Sequence, residues 1–223
     1  MLPAPLAVGQ AAAEMAAEGK LVPHVLASAQ RALLRFAIGS GLGFLLGLAN
    51  GSFKWSGRLL DSSMQMLRTI PHLALIPLVI LWFGIGETAR VFLVALGVLF
   101  PVYLNTYHGV RTVDAGLLEM ARNYGLSRWQ TFRQVILPGA LPSILVGVRY
   151  ALGIMWLTLI VAETIAASSG IGKVTMDARE FLQTDVLVFG ILLYAGLGKL
   201  ADVAAKGMEK RLLAWHPSYV RAR

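Results

Sequence analysis

The sequence holds no cysteine, so neither a disulfide framework nor thiolate metal ligation is open to it. Charge is also scarce: 14% of residues are Asp, Glu, Lys or Arg, against about 25% in soluble globular domains. Those charges are clustered, which leaves long neutral stretches between them. No basic n-region, apolar h-region and cleavage site occur in series, so no signal peptide is read. Metal-ligand spacing is missing, and the four scattered histidines read as ordinary polar residues. Two glycine-rich stretches imitate nucleotide sites and fail. In Gly170-Ile171-Gly172-Lys173 the first glycine of a phosphate loop would fall at Ala167, and Val174 stands where Ser or Thr must follow the lysine. Gly39-Ser40-Gly41 lies inside an apolar run, not after a strand, which excludes a dinucleotide fingerprint.

What is present is apolar. Hydrophobic residues make up 57% of the 223. A membrane-spanning helix needs about 20 mostly apolar residues. Five stretches qualify: Val25–Phe53, the run from about Met64 to Gly86, Val91–Val110, Ser143–Ala167 and Val186–Ala205. The fold class expected is therefore an all-α integral membrane protein with about five spans. Alanine-rich Ala11–Lys20 reads as a short surface helix, within an outer-face segment 1–24 that precedes the membrane domain at 25–206 and a basic tail at 207–223.

The net charge of +8 does not point to nucleic acid, because no basic stripe interleaved with aromatics is visible. The cations sit in short loops and set orientation instead. With the loop 111–142 inside, eleven cations fall inside: Lys54, Arg58, Arg111, Arg122, Arg128, Arg133, Lys206, Lys210, Arg211, Arg221 and Arg223. Six fall outside: Lys20, Arg31, Arg35, Arg90, Lys173 and Arg179. Arg31 and Arg35 fit this least well and are within reach of the outer face by snorkelling. Between the fourth and fifth spans Ile171, Val174, Ala178, Phe181 and Leu182 recur at helical spacing, which predicts an amphipathic helix on the outer surface.

The loop 111–142 is not loop-like. Leu117, Leu118, Met120, Ala121 and Tyr124 make one apolar face, Gly125 breaks it, and Ser127 fits a helix N-cap. Trp129, Phe132, Val135 and Ile136 make a second face, with Leu137-Pro138 as its expected end. Two short helices meeting at a glycine hinge either rest on lipid or insert as a knob into a partner's groove. Gly39, Gly43, Gly47 and Gly51 form a small-residue ladder, better suited to packing within one subunit than to a dimer seam. Pro71 and Pro77 remove backbone donors inside an apolar run, which gives either a broken helix lining a pathway or a kink. Arg68, His72, Asn105, His108, Arg149 and Glu163 are polar residues in or beside spans. They line a path, or they anchor at the interface and bond helix to helix; for His108 and Arg149 the second reading is preferred.

Glu119-Met120-Ala121, Gly125, Val135 and Leu137-Pro138 resemble the cytoplasmic signature of bacterial ABC import permeases: Glu-Ala-Ala, three residues, Gly, nine residues, Ile, one residue, Leu-Pro. Met120 and Val135 replace Ala and Ile, and both stay apolar. Arg68–Pro77, Leu81–Glu87, Trp156–Glu163 and Ala178–Asp185 look like the nitrate/sulfonate/taurine permease family, closest to its aliphatic sulfonate members. The similarity runs from about Leu2 to Pro217, and family members carry a further span ahead of this start.

The resemblance implies the transmembrane domain of a type I ABC importer in the bacterial inner membrane, working as a homodimer. Glu119, Ala121, Gly125, Val135, Leu137 and Pro138 would belong to a coupling helix docked on a cytoplasmic ATPase dimer, which holds the ATP and Mg; no cofactor is expected in this chain. A periplasmic or lipid-anchored binding protein would deliver small organic anions, with sulfonates first and taurine or nitrate as alternatives. Arg68, His72, Glu163 and Arg179 are the pathway or gate candidates. An anionic sulfonate makes Glu163 an unsuitable direct ligand, so gating or pairing with Arg179 is expected of it. A standalone channel or secondary carrier is the competing class, and it leaves 119–138 without a task. An intramembrane enzyme would need a nucleophile with its base or a metal site, and neither is read.

Overall fold

A computed structural model describes residues 3–53, 63–165 and 169–216. Lys54, Arg58, Ala167, Arg221 and Arg223, on which parts of the topology and phosphate-loop arguments fell, lie outside the described residues. Among the described residues the secondary structure is helical and no strand occurs.

Helix α1 covers Pro5–Ala17 and α2 covers Leu21–Ser52. The second span is a bent pair: α3, Ser63–Thr69, then a helical stretch His72–Phe83 turned by 83°. That stretch opens with a 3-10 turn, His72–Leu75, and continues as α4, Ile76–Phe83. The bend falls at Pro71, whose extended backbone (ψ 112°) ends one helix before the next begins. Helix α5 is Glu87–Arg111 and α6 is Ala115–Asn123. Next come α7 (Arg128–Thr131), a π turn (Phe132–Ile136) and α8 (Leu137–Thr164). Helix α9 is Ile171–Glu180 and α10 is Thr184–Leu212. Four single helices plus the bent pair reach spanning length and hydropathy, matching the five expected spans.

The bundle is built around α5, which lies between α2 and α8. Helices α2 and α5 run parallel. A Cβ at Gly39 or Gly43 would overlap the carbonyl oxygen of Ala95 or Leu99, and one at Gly47 or Gly51 would lie 2.7 Å from Tyr103 O or 2.8 Å from Val110 Cβ. The glycine ladder is thus the seam between two helices of one chain, as preferred from sequence. It brings backbones into contact where lipid supplies no hydrophobic drive. Helix α8 packs antiparallel on the other side, where a Cβ at Gly109 would lie 2.9 Å from Ala140 O and one at Gly147 2.9 Å from Pro101 O. Val94, Val98 and Val102 of α5 then meet Ala151, Met155 and Leu159 of α8 in the main core.

Three expectations need correction. Leu137-Pro138 does not end a short helix: Arg128–Thr164 is one continuous helical rod of 37 residues. The π turn explains this, since Leu137 N–H reaches back five residues to Phe132 O, skipping a carbonyl just where Pro138 cannot supply a donor. Helix α9 buries Ile171 and Ala178 as expected, but it stops at Glu180, leaving Phe181 and Leu182 exposed beyond it. Helix α1 is not merely on the surface, because Val8 and Ala11 are buried and the helix lies along α10.

Candidate functional site

Polar chemistry gathers at three levels along the bundle. At one end, the chain leaves α5 and enters α6, whose Asp114 cap accepts from Gly116 N at 2.6 Å. The exit is a Schellman turn: Gly125 N–H bonds Arg122 O, Leu126 N–H bonds Ala121 O, and Gly125 sits at φ +70°. Open space surrounds the position a Cβ would take there, so backbone conformation alone calls for glycine. Ser127 and Gln130 then form a reciprocal capping box that starts α7. The two helices are therefore held at a fixed angle by four capping hydrogen bonds, two in the Schellman turn and two in the capping box. Of the apolar faces read from sequence, Ala121 is buried, whereas Tyr124 is 77% exposed and Trp129, stacked on Phe132, is 67% exposed. Glu119 is exposed beside a shallow cleft of about 450 Å³ shared with Met120, Asn123 and Tyr124. Val135, Leu137 and Pro138 are half-buried in and after the π turn.

At mid-bundle, His72 Nε2 lies 3.0 Å from Thr158 Oγ1, and both touch the place a Cβ would occupy on Gly97. The broken second span is thus fastened to α5 and α8 just past its bend. Arg68, before the bend on α3, is exposed.

The opposite end carries a buried carboxylate. Glu163 has no solvent exposure. It accepts from Ser28 Oγ at 2.8 Å, from Gly172 N at 2.8 Å and from Tyr194 OH at 2.7 Å, and Arg31 Nη1 stands 4.0 Å away. Ile171 N donates to Ser28 Oγ and Gly170 N to His24 Nδ1. The Gly170–Lys173 stretch that imitated a phosphate loop is therefore a nest of backbone donors taken up within the chain: Gly172 N–H meets Glu163, while Ile171 N–H and Gly170 N–H go to Ser28 Oγ and His24 Nδ1. Arg179, expected as its partner, is exposed at the far end of α9; seven residues separate it from Gly172, about 10 Å of helix. The sequence candidates Arg68, His72, Glu163 and Arg179 are not brought together. Arg31 does not snorkel but bonds Ser169 O and Oγ, each at 2.6 Å, and Arg35 is wholly buried on Glu87. Sequence reasoning missed Ser28, Tyr194, Gly172 and Glu87. A signal existed on α2: Ser28, Arg31 and Arg35 extend the i+3/i+4 seam of Gly39, Gly43 and Gly47. Arg149 behaves as preferred, joining α8 to α10 through Asp202 at 2.7 Å and Glu209 at 3.8 Å.

A five-span bundle packed on glycine, with a capped, aromatic-bearing element projecting at one end, defines a multi-pass membrane protein rather than a soluble domain. The chain belongs to the family described as binding-protein-dependent transport system inner membrane component, which matches residues 39–214, and so is a permease of an ABC importer resident in the inner membrane. It is 63% identical over 98% of its length to the aliphatic sulfonates transport permease protein SsuC of Escherichia coli, covering 83% of that protein. The taurine transport permease TauC of the same species is 38% identical over 89% of this chain and 72% of its own. Among solved structures, an inward-facing MetNI methionine ABC transporter aligns with a TM-score of 0.66 at 19% identity, covering 82% of this chain and 93% of that one. An amino acid ABC transporter solved with histidines aligns at 0.69 and 18% identity, covering 89% and 97%. These two bear on the fold alone.

Proposed function

We propose that this permease imports aliphatic sulfonates as a homodimer, driven by a separate cytoplasmic ATPase dimer that carries the ATP and Mg. The observation that carries the substrate is the 63% identity to SsuC over almost the whole chain. The energy route rests on the α6–α7 element. Its angle is set by the Gly125 turn and the Ser127 capping box, and it offers Tyr124, Trp129 and the Glu119 cleft outward. An exposed pair of aromatics on a rigid elbow suits insertion into a partner's groove. The excess of cations on this side of the membrane supports a cytoplasmic location. Substrate arrives from a periplasmic or lipid-anchored binding protein at the α9 end. ATP binding closes the ATPases, moves the elbow, and shifts the pathway between outward-open and inward-open states.

The test is co-purification with the ATPase and uptake of ethanesulfonate, wild type against Gly125→Asp. Aspartate tolerates φ +70° better than most side chains, so the turn is retained at modest cost while the elbow gains bulk and charge. A variant that inserts in the membrane but loses both the ATPase and uptake supports the coupling reading. Equal ATPase binding by both proteins rejects it. Failure of the wild-type complex to take up ethanesulfonate rejects the substrate.

A further inference from the structure

Residues 21–30 of α2 run about 15 Å beyond the start of α5, because Gly39 is level with Ala95 in the parallel seam and α5 begins at Glu87. Arg35 therefore sits level with Val91, just past the first turn of α5, where Glu87 and Arg90 lie. Its side chain has no solvent exposure. One nitrogen, Nη2, donates to Glu87 Oε1. The other two, Nε and Nη1, are buried with no hydrogen-bond partner. Buried guanidinium donors are seldom left unpaired, since each costs its full desolvation, and such orphans signal a missing acceptor.

The surroundings say what kind. Arg90 stands 3.4 Å from the other Glu87 oxygen, and Arg31 is within electrostatic reach of the same carboxylate. Arg31 is already engaged with Ser169 and Glu163. That leaves two arginines on one carboxylate, an uncompensated positive charge at the outer end. Glu87 itself is 53% exposed, so its carboxylate can leave without unpacking the core. Arginine's Nε and Nη donors form a planar fork matched to oxyanions. A sulfonate presents three acceptor oxygens and one permanent negative charge: in the place of Glu87 it accepts from Nη2, has oxygens to spare for a neighbouring orphaned donor of the fork, and balances the excess cation.

We propose that Arg35 and Arg90 form a seat for the sulfonate group of the transported molecule, covered in this state by Glu87 as a stand-in anion. The seat rests on the sulfonate reading of the substrate. Substrate entering from the outer face displaces Glu87, which swings to solvent, and returns to it on moving inward. Glu87 thereby keeps the site weak, as a transit site must be.

The experiment is equilibrium binding of radiolabelled ethanesulfonate to the purified permease–ATPase complex without binding protein, for wild type, Glu87→Gln, Arg35→Lys and Arg35→Gln. Uptake by the wild-type complex with its binding protein runs in parallel. Removing the competing carboxylate in Glu87→Gln tightens binding by about tenfold, Arg35→Gln weakens it by about tenfold or more, and Arg35→Lys falls between, keeping charge without the fork. If Arg35→Gln fails to assemble, Glu87→Gln decides alone. Unchanged affinity in Glu87→Gln, or no binding to wild type, overturns the seat. Wild-type uptake alongside either result leaves the sulfonate reading standing and removes only the seat. No wild-type uptake removes both.

Discussion

At the scale of single residues, the bundle spends its polar groups where backbone donors need them. Glu163 joins three elements through one carboxylate: Ser28 on α2, the first turn of α9 and Tyr194 on α10. Replacing it by alanine leaves the Gly172 N–H and two hydroxyls buried without their acceptor and Arg31 without its charge partner. Breaking such a buried network costs about 3–5 kcal/mol. Glu163→Ala is expected to lower the thermal midpoint of the purified protein, with Glu163→Gln milder because one oxygen still accepts. An unshifted midpoint in both variants would show that the network contributes nothing to folding. None of these partners was legible beforehand: Ser28 is 135 residues from Glu163, and no local pattern links them. The sequence offered only a charge near a span end, and the Arg179 pairing drawn from it chose the neighbour in sequence over the neighbour in space.

At the scale of elements, glycine spacing was the most readable feature. Four glycines at intervals of four predict one smooth helix face, and the structure lays a parallel helix on that face close enough to exclude any side chain. A valine at Gly43 must push against the Leu99 carbonyl, which is backbone and cannot rotate away. Overpacking of this kind costs about 1–3 kcal/mol or more. Gly43→Val is expected to reduce membrane-inserted, monodisperse protein sharply, while valine at Gly41, which faces open space, leaves the yield unchanged. Comparable yields for the two variants in fluorescence-detected size exclusion would contradict the seam. The turn at Gly125 and the cap at Ser127 were equally readable, since both follow from short-range backbone chemistry. The continuation through Pro138 was not. Proline normally reads as a stop, and only a π turn placed just before it turns that stop into a passage.

At the scale of the whole molecule, the five spans were legible because a bilayer demands long neutral helices whatever their packing. The 83° bend of the second span was readable only as a choice between a break and a kink, because a proline marks where a helix can fail and not the angle it then takes. The absence of cysteine gives a direct check on orientation. Single cysteines at Thr112 and Lys173 place one thiol at each end of the bundle with no background. In intact spheroplasts an impermeant maleimide is expected to label Lys173→Cys and not Thr112→Cys until the membrane is opened. The reverse pattern would invert the topology and put the α6–α7 elbow on the wrong side for an ATPase.

The uninterrupted helix Arg128–Thr164 joins Trp129 on that elbow to Glu163 in the α9 nest. At 1.5 Å per residue it is a stiff lever about 55 Å long. A tilt of about 5° at the elbow displaces the far tip by about 5 Å, more than a hydrogen bond can stretch. Small strokes by a motor on one side of the membrane would then arrive on the other side as the making or breaking of discrete bonds, with the π turn and Pro142 as places along the lever where the motion can be lost.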